Sequence, residues 1–218
     1  MVQERDHPVA HLIGVDEVGR GSLIGPIVAA AVSMTRPLST QELALLSPLN
    51  DSKLMKPAER EALSACLTEG DFCHYAIAEA SLEEVEALNV YHASLLASSR
   101  AVAAVLKKRD NALMDKTLIL IDGKAMMPQY PKDRQLAVIK GDSHSACIAA
   151  ASVLAKVYRD RLVSQWGEQY PEYQVYQWQN NKGYGTAAHL QAIQQFGVTL
   201  LHRKQFKGVK ATQTQLVF

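Results

Sequence analysis

The sequence predicts an α/β layered fold: a mixed sheet covered by helices, with a helical and basic extension at the C-terminal end. Three observations predict it. Short apolar runs separated by turn residues come first, apolar runs alternating with helix-like stretches follow, and no acidic residue occurs after Glu172. A chain of 218 residues is long enough for one well-packed core with additions and too short for two ordinary domains. The expectation is one domain over residues 1–218, its extension beginning at about residue 173.

His11 to Val15 and Ile27 to Val32 are apolar runs separated by Gly19-Arg20-Gly21-Ser22-Leu23-Ile24-Gly25-Pro26. Three glycines and a proline in that interval read as strand, turn, strand. Lys56 to Thr68 fits a helix and Phe72 to Ala80 a third strand. Ser81-Leu82-Glu83-Glu84 fits a capping box opening a helical stretch to Lys108, with a break near Asn89. Thr117 to Ile121 is the clearest buried strand, and Leu136 to Ile139 reads as another. The alanine-rich stretch from Ala146 to about Trp166 reads as a helix.

Composition excludes several classes. With 48% hydrophobic and 21% charged residues, the chain has the balance of a globular protein rather than a disordered or membrane one. Met1 to His7 lacks a signal-peptide pattern and no apolar run approaches ~20 residues, so the expected compartment is the cytoplasm, with no membrane partner. Cys66, Cys73 and Cys147 are odd in number and form no CxxC pair, which gives neither a disulfide framework nor a structural zinc site. They read as small core residues. The formal net charge of +1 conceals an asymmetry, because Lys182, Arg203, Lys204, Lys207 and Lys210 all follow the last acid. An acidic body and a basic tail suit a protein that gathers carboxylates around cations in one place and meets phosphates in another. An ordinary surface with a basic end has the same composition.

Four carboxylates stand out by position. Asp16 and Glu17 end the first strand, Asp122 follows the buried strand, and Asp142 follows Val138-Ile139-Lys140-Gly141. In α/β sheets the C-terminal edge of the strands is where ligands usually bind. Clustered carboxylates raise one another's pKa unless divalent cations neutralise them. Oxygen ligands without His or Cys favour Mg²⁺ or Mn²⁺, and two such ions about 3.5–4 Å apart suit phosphodiester hydrolysis. Taken singly, Asp122 and Asp142 also fit a turn residue and a helix N-cap. Asp16 and Glu17, as strand neighbours, can share a site only at a strand end or bulge.

Gly19-Arg20-Gly21 with Gly25 is a poor dinucleotide fingerprint, because it leads into the β-like Ile27 to Val32 instead of a helix and follows two acids. The glycines do allow close backbone approach to a ligand. Neither a Walker A sequence nor a GxSxG elbow is present, which leaves nucleoside-triphosphate and serine hydrolysis without support.

Taken together, these blocks resemble ribonuclease HII. The run Gly14 to Val32 is similar to the family's opening motif and Asp51-Ser52-Lys53 to its next block. Ile121-Asp122-Gly123, Lys140-Gly141-Asp142, Ile148 to Asp160 and Lys182-Gly183-Tyr184-Gly185-Thr186 follow in the family's order. The resemblance implies a ribonuclease H-like fold and a two-metal endonuclease using Mg²⁺ or Mn²⁺, with Asp16, Glu17, Asp122 and Asp142 as catalytic and metal-binding residues. The implied substrates are RNA/DNA hybrids and duplex DNA containing ribonucleotides, cut on the 5′ side of a lone ribonucleotide. Gly19, Arg20 and Gly21 would meet the ribose 2′-hydroxyl, and Tyr184 the sugar just past the cut. Lys53 would contact a phosphate; by itself it is also an ordinary solvated lysine. Ribonuclease HIII carries an additional N-terminal substrate-binding domain, and Asp16 lies too near the start for one, so ribonuclease HII is the expectation. A silent hybrid-binding protein has no use for four clustered acids. Ser22, Leu54-Met55, His144, Cys147 and Asn181 depart from the family pattern, leaving the quartet, the glycine turn and Tyr184 intact.

The end of the chain, Gln213-Thr214-Gln215-Leu216-Val217-Phe218, resembles the short peptide by which bacterial replication and repair proteins dock on the sliding clamp. Leu216 and Phe218 would enter an apolar pocket with Gln213 at its rim. The same apolar residues could instead fold back over a groove on the body.

Overall fold

The structure, a computed structural model, describes residues 11–46, 55–108 and 116–210. Five strands form one sheet: β1 (His11–Val18), β2 (Ile27–Met34), β3 (Cys73–Ala80), β4 (Thr117–Asp122) and β5 (Gln135–Val138), in the order β3-β2-β1-β4-β5. β1, β2 and β3 are antiparallel, whereas β1, β4 and β5 run parallel. The sheet is mixed, as expected. The helices are α1 (Thr40–Leu45), α2 (Pro57–Glu69), α3 (Leu82–Lys107), α4 (Ala146–Gln169), α5 (Trp178–Asn181) and α6 (Ala187–Phe196). The sequence reading omitted α1, a short helix set by the Ser39 and Glu42 capping box. No helix among the described residues is long and apolar enough to cross a membrane.

Alternation along β2 builds two cores. Ile27, Ala29 and Ala31 face α3, and Val28, Ala30 and Val32 face α2 and α4. Each fully buried valine or isoleucine contributes roughly 1.5–3 kcal/mol. Small residues let α4 lie close to the sheet: Ala149, Ala150, Ala151 and Ala155 are buried against it. A Cβ on Gly14 of β1 would stand 2.3 Å from the α4 backbone at Cys147 and Ile148. The break in α3 falls at Asn89, whose φ of 67° is not helical and whose side chain accepts from the Tyr91 and His92 amides, recapping the helix.

Two expectations about burial need correction. β5 is an edge strand rather than a buried one: Leu136 is 44% and Ile139 60% exposed, because only β4 covers it. Cys73 and Cys147 are core residues, but Cys66 is only partly buried.

A third core forms where the C-terminal segment packs on the glycine loop. Leu23, Ile24, Val163, Tyr176, Trp178 and Ile193 are buried together. Isolated bridges pair Ser22 with Tyr184 and Ile24 with His202. The extension thus packs directly on the glycine loop that follows β1.

Candidate active site

Parallel pairing of β1 with β4 ends at Val15 opposite Ile121, so Asp16 and Asp122 occupy the next position on adjacent strands. Pairing of β4 with β5 ends at Asp122 opposite Val138. The chain then turns through Lys140, in the left-handed region at φ 54°, into the Gly141–Ser143 turn that carries Asp142. The Gly141 amide donates to Asp122 Oδ1 at 2.7 Å, tying the second and third carboxylate segments together. Ser145, not Asp142, caps α4. The N-cap alternative for Asp142 is therefore excluded.

Asp16 and Glu17 lie inside β1, in regular register with Ala30 and Ala29. There is no bulge. What places both near one site is the end of β1's pairing with β4, since beyond Val15 the strand is covered on the β2 side only. Glu17 and Asp142 line one cavity of about 270 Å³ with Arg60, Ser152 and Lys156. Asp16 also reaches Ser152.

Burial, then the neighbouring Glu17 and Asp122 charges, pushes the Asp16 carboxyl up to about 7, against the Ser152 hydrogen bond. Burial also raises Glu17, opposed by Arg20 at 3.1 Å. Charge accumulated at low dielectric is the condition that a divalent cation relieves. Among the described residues no three His, Cys, Asp or Glu side chains are gathered closely enough to hold a metal ion as they stand. Asp16 and Glu17 each feel the Asp122 charge. Their all-oxygen chemistry fits Mg²⁺ or Mn²⁺.

Gly19 and Gly21 of the glycine turn have different structural reasons. Gly19 has φ 93°, and a Cβ there would stand 2.4 Å from Arg159 Nε. Gly21 is exposed, and a Cβ on it would meet only the Tyr184 ring, at 3.8 Å. The turn and Tyr184 are thus neighbours across 160 residues of sequence. Tyr184 sits with the Arg159 guanidinium carbon 5.7 Å from its ring centre. Behind it, His189 Nδ1 donates to the Tyr184 carbonyl at 3.0 Å.

Two departures from the family pattern have structural roles. The Ser22 hydroxyl shares its one proton between the carbonyls of Ile24 and Gly183, and Asn181 links the Tyr176 carbonyl to the Gly183 amide. Lys53 lies outside the described residues, as do Gln213, Leu216 and Phe218.

Arg203 overturns an expectation. The basic-tail reading set it among residues facing phosphates, but it is fully buried and bonded to backbone carbonyls. Sequence reasoning also missed Arg159, Ser152, Arg60 and Lys156. No local signal distinguishes them from ordinary helix residues, although Ser152, Lys156 and Arg159 fall within the block Ile148 to Asp160.

The fold and this edge define a protein of the ribonuclease H-like class. A PCNA:RNase HII complex from Archaeoglobus fulgidus contains a chain that superimposes with a TM-score of 0.69 at 20% identity, covering 93% of this chain and 96% of that one. Bst-RNase HIII in complex with Mn²⁺ superimposes with a TM-score of 0.72 at 17% identity, over 94% of this chain and 70% of that one. Within that class the sequence is decisive: residues 13–209 match the family model for ribonuclease HII, and the chain belongs to that family. A ribonuclease HII from Pelagibacter ubique is 41% identical over 198 residues, spanning 91% of this chain and 96% of the relative. Membership makes the chain a metal-dependent ribonuclease H acting on RNA/DNA hybrids.

Proposed function

We propose that this chain, as one ribonuclease H-like catalytic unit, cuts 5′ of single ribonucleotides embedded in duplex DNA as well as within RNA/DNA hybrids. Asp16, Glu17, Asp122 and Asp142 are its metal ligands, taking two Mg²⁺ or Mn²⁺ ions. When bound, such ions activate a water and stabilise the leaving oxygen of a phosphodiester. The carrying observation is the placement of Gly21 against Tyr184, bridged through Ser22, beside the strand that bears Asp16 and Glu17.

The residues divide the work. Gly19 and Gly21 keep the turn free of side chains, so backbone amides can approach a ribose 2′-hydroxyl. Tyr184 offers a ring face to the next sugar, held from below by Arg159 and from behind by His189. Arg20 neutralises part of the Glu17 charge from the solvent side. Lys53 is a proposed phosphate contact on sequence grounds alone.

The test is incubation with a labelled duplex containing one ribonucleotide, with and without Mg²⁺ or Mn²⁺. Expected is one metal-dependent cut 5′ of the ribonucleotide. Cleavage of RNA/DNA hybrid without junction cutting would reject the finer specificity. A second proposed interaction rests on the motif at Gln213, Leu216 and Phe218, which suits docking to the bacterial sliding clamp and gains interest from the archaeal PCNA complex.

A further inference from the structure

We propose that Arg203 is a positioning residue that sets the direction of the amides in the Gly19-Arg20-Gly21 turn. This rests on the reading that the turn meets the ribose. Arg203 is 0% exposed, and every hydrogen bond its guanidinium makes among the described residues goes to a carbonyl of the loop from Gly19 to Pro26. The two Nη1 hydrogens serve three carbonyls, those of Gly19 at 2.8 Å and Ser22 at 2.8 Å, with Arg20 at 3.2 Å as the shared, longer acceptor. Nε donates to Gly25 at 2.8 Å and Nη2 to Pro26 at 2.9 Å. The Arg203 amide also donates to the Leu23 carbonyl, at 2.7 Å. No carboxylate among the described residues forms a salt bridge with it; its charge meets carbonyl dipoles and, 5.2 Å from the guanidinium carbon, the Phe206 ring.

The consequence follows from peptide geometry. In a trans peptide the N–H points away from the C=O of the same unit, and no cis peptide occurs among the described residues. Drawing the Gly19 carbonyl inward turns the Arg20 amide outward, and drawing the Arg20 carbonyl inward turns the Gly21 amide outward. A single side chain from the C-terminal segment therefore fixes two consecutive outward donors beside the carboxylate edge. Reaching five carbonyls from one side chain takes several N–H groups held in a rigid planar fork, which only arginine offers. Lysine, with three donors on a flexible stem, cannot hold the same set. Arg159 stiffens the arrangement, donating to the Ile24 and Lys182 carbonyls beneath the turn.

The experiment compares Arg203→Lys with Ile193→Ala, a buried change in the same C-terminal core that serves as a control for general loosening. Two quantities are read for each: kcat/KM on a duplex with one ribonucleotide, and Kd for the all-DNA duplex of the same sequence in Ca²⁺. A misplaced donor pair should cost Arg203→Lys about 100-fold in kcat/KM while its Kd for all-DNA duplex changes less than threefold, roughly the scale of a single weakened contact. Ile193→Ala should lower the melting temperature without that selective loss. Equal selectivity in Arg203→Lys and wild type, or the same selective loss in both variants, overturns the proposal. Should Arg203→Lys not fold, the wild-type protein decides by NMR. The Arg203 Nε–H should then exchange as slowly as sheet amides, and the ribonucleotide duplex should shift the Arg20 and Gly21 amides. Fast Nε–H exchange or unmoved amides overturns it. If wild type fails to cut at a lone ribonucleotide, the reading of the turn fails instead, a distinct result.

Discussion

Acid should unfold this protein through two histidines that are buried neutral. His189 Nδ1 donates to the Tyr184 carbonyl, so its Nε2 accepts, from Trp178 Nε1 at 3.1 Å and from His202 Nε2 at 3.2 Å. His202 Nδ1 in turn accepts from the Thr199 amide at 2.9 Å. Neither ring has a free site for a second proton. Burial, reinforced by His189, pushes His202 down to about 3, and burial also lowers His189. A depressed folded-state pKa means that the unfolded chain binds the proton first, so stability is full above pH 6.5 and is lost as pH falls toward 3. At about 1.4 kcal/mol per pH unit, that interval bounds the loss from His202 at roughly 5 kcal/mol, comparable with the whole stability of a small domain. Urea unfolding at pH 7.5, 6.5, 5.5 and 4.5 measures it, followed by the fluorescence of Trp166 and Trp178, the two tryptophans of the chain, both at this core. His202→Asn removes the titration and should cost about 1–3 kcal/mol at pH 7.5 through the broken network. The gap between variant and wild type should close as pH falls, because carboxylate contributions are common to both. A gap that stays constant from pH 7.5 to 4.5 would refute the reasoning.

Asp122→Asn and Asp142→Asn should each lower hybrid cleavage at least ~100-fold with unchanged circular dichroism, since they remove ligand charge rather than packing; near-normal activity of both in Mg²⁺ would end the quartet assignment. Tyr184→Ala should reduce cutting at a ribonucleotide junction more than binding, because phosphate contacts persist; equal losses would make Tyr184 an affinity residue. Gly14→Ala should destabilise by about 1–3 kcal/mol or more, read as a lowered denaturation midpoint, because its Cβ meets α4 backbone at 2.3 Å. A peptide of residues 209–218 should bind a bacterial clamp and lose binding when Leu216 and Phe218 become Ala; no binding by either peptide rejects the clamp reading.

The sequence by itself determined the class of fold and singled out four carboxylates as the candidate site. Strand periodicity is a local property, as at Thr117 to Ile121, and so is capping, as at Ser81 and the Asn89 break. The carboxylates could be found because strand ends and turn residues are written in consecutive letters. Only the tertiary structure decided what lies next to what. Asp16 and Glu17 lie where β1 outruns β4, which depends on a pairing across more than a hundred residues. Tyr184 belongs to the glycine turn because the C-terminal segment folds back on Leu23 and Ile24. Arg203 reads as one more basic residue in a basic tail, yet it is buried, because loop carbonyls with no strand or helix partner need donors, and a guanidinium brought in from 180 residues away supplies them. Hydrogen-bond satisfaction of irregular backbone is a long-range demand, and no local pattern in the chain records which side chain will meet it.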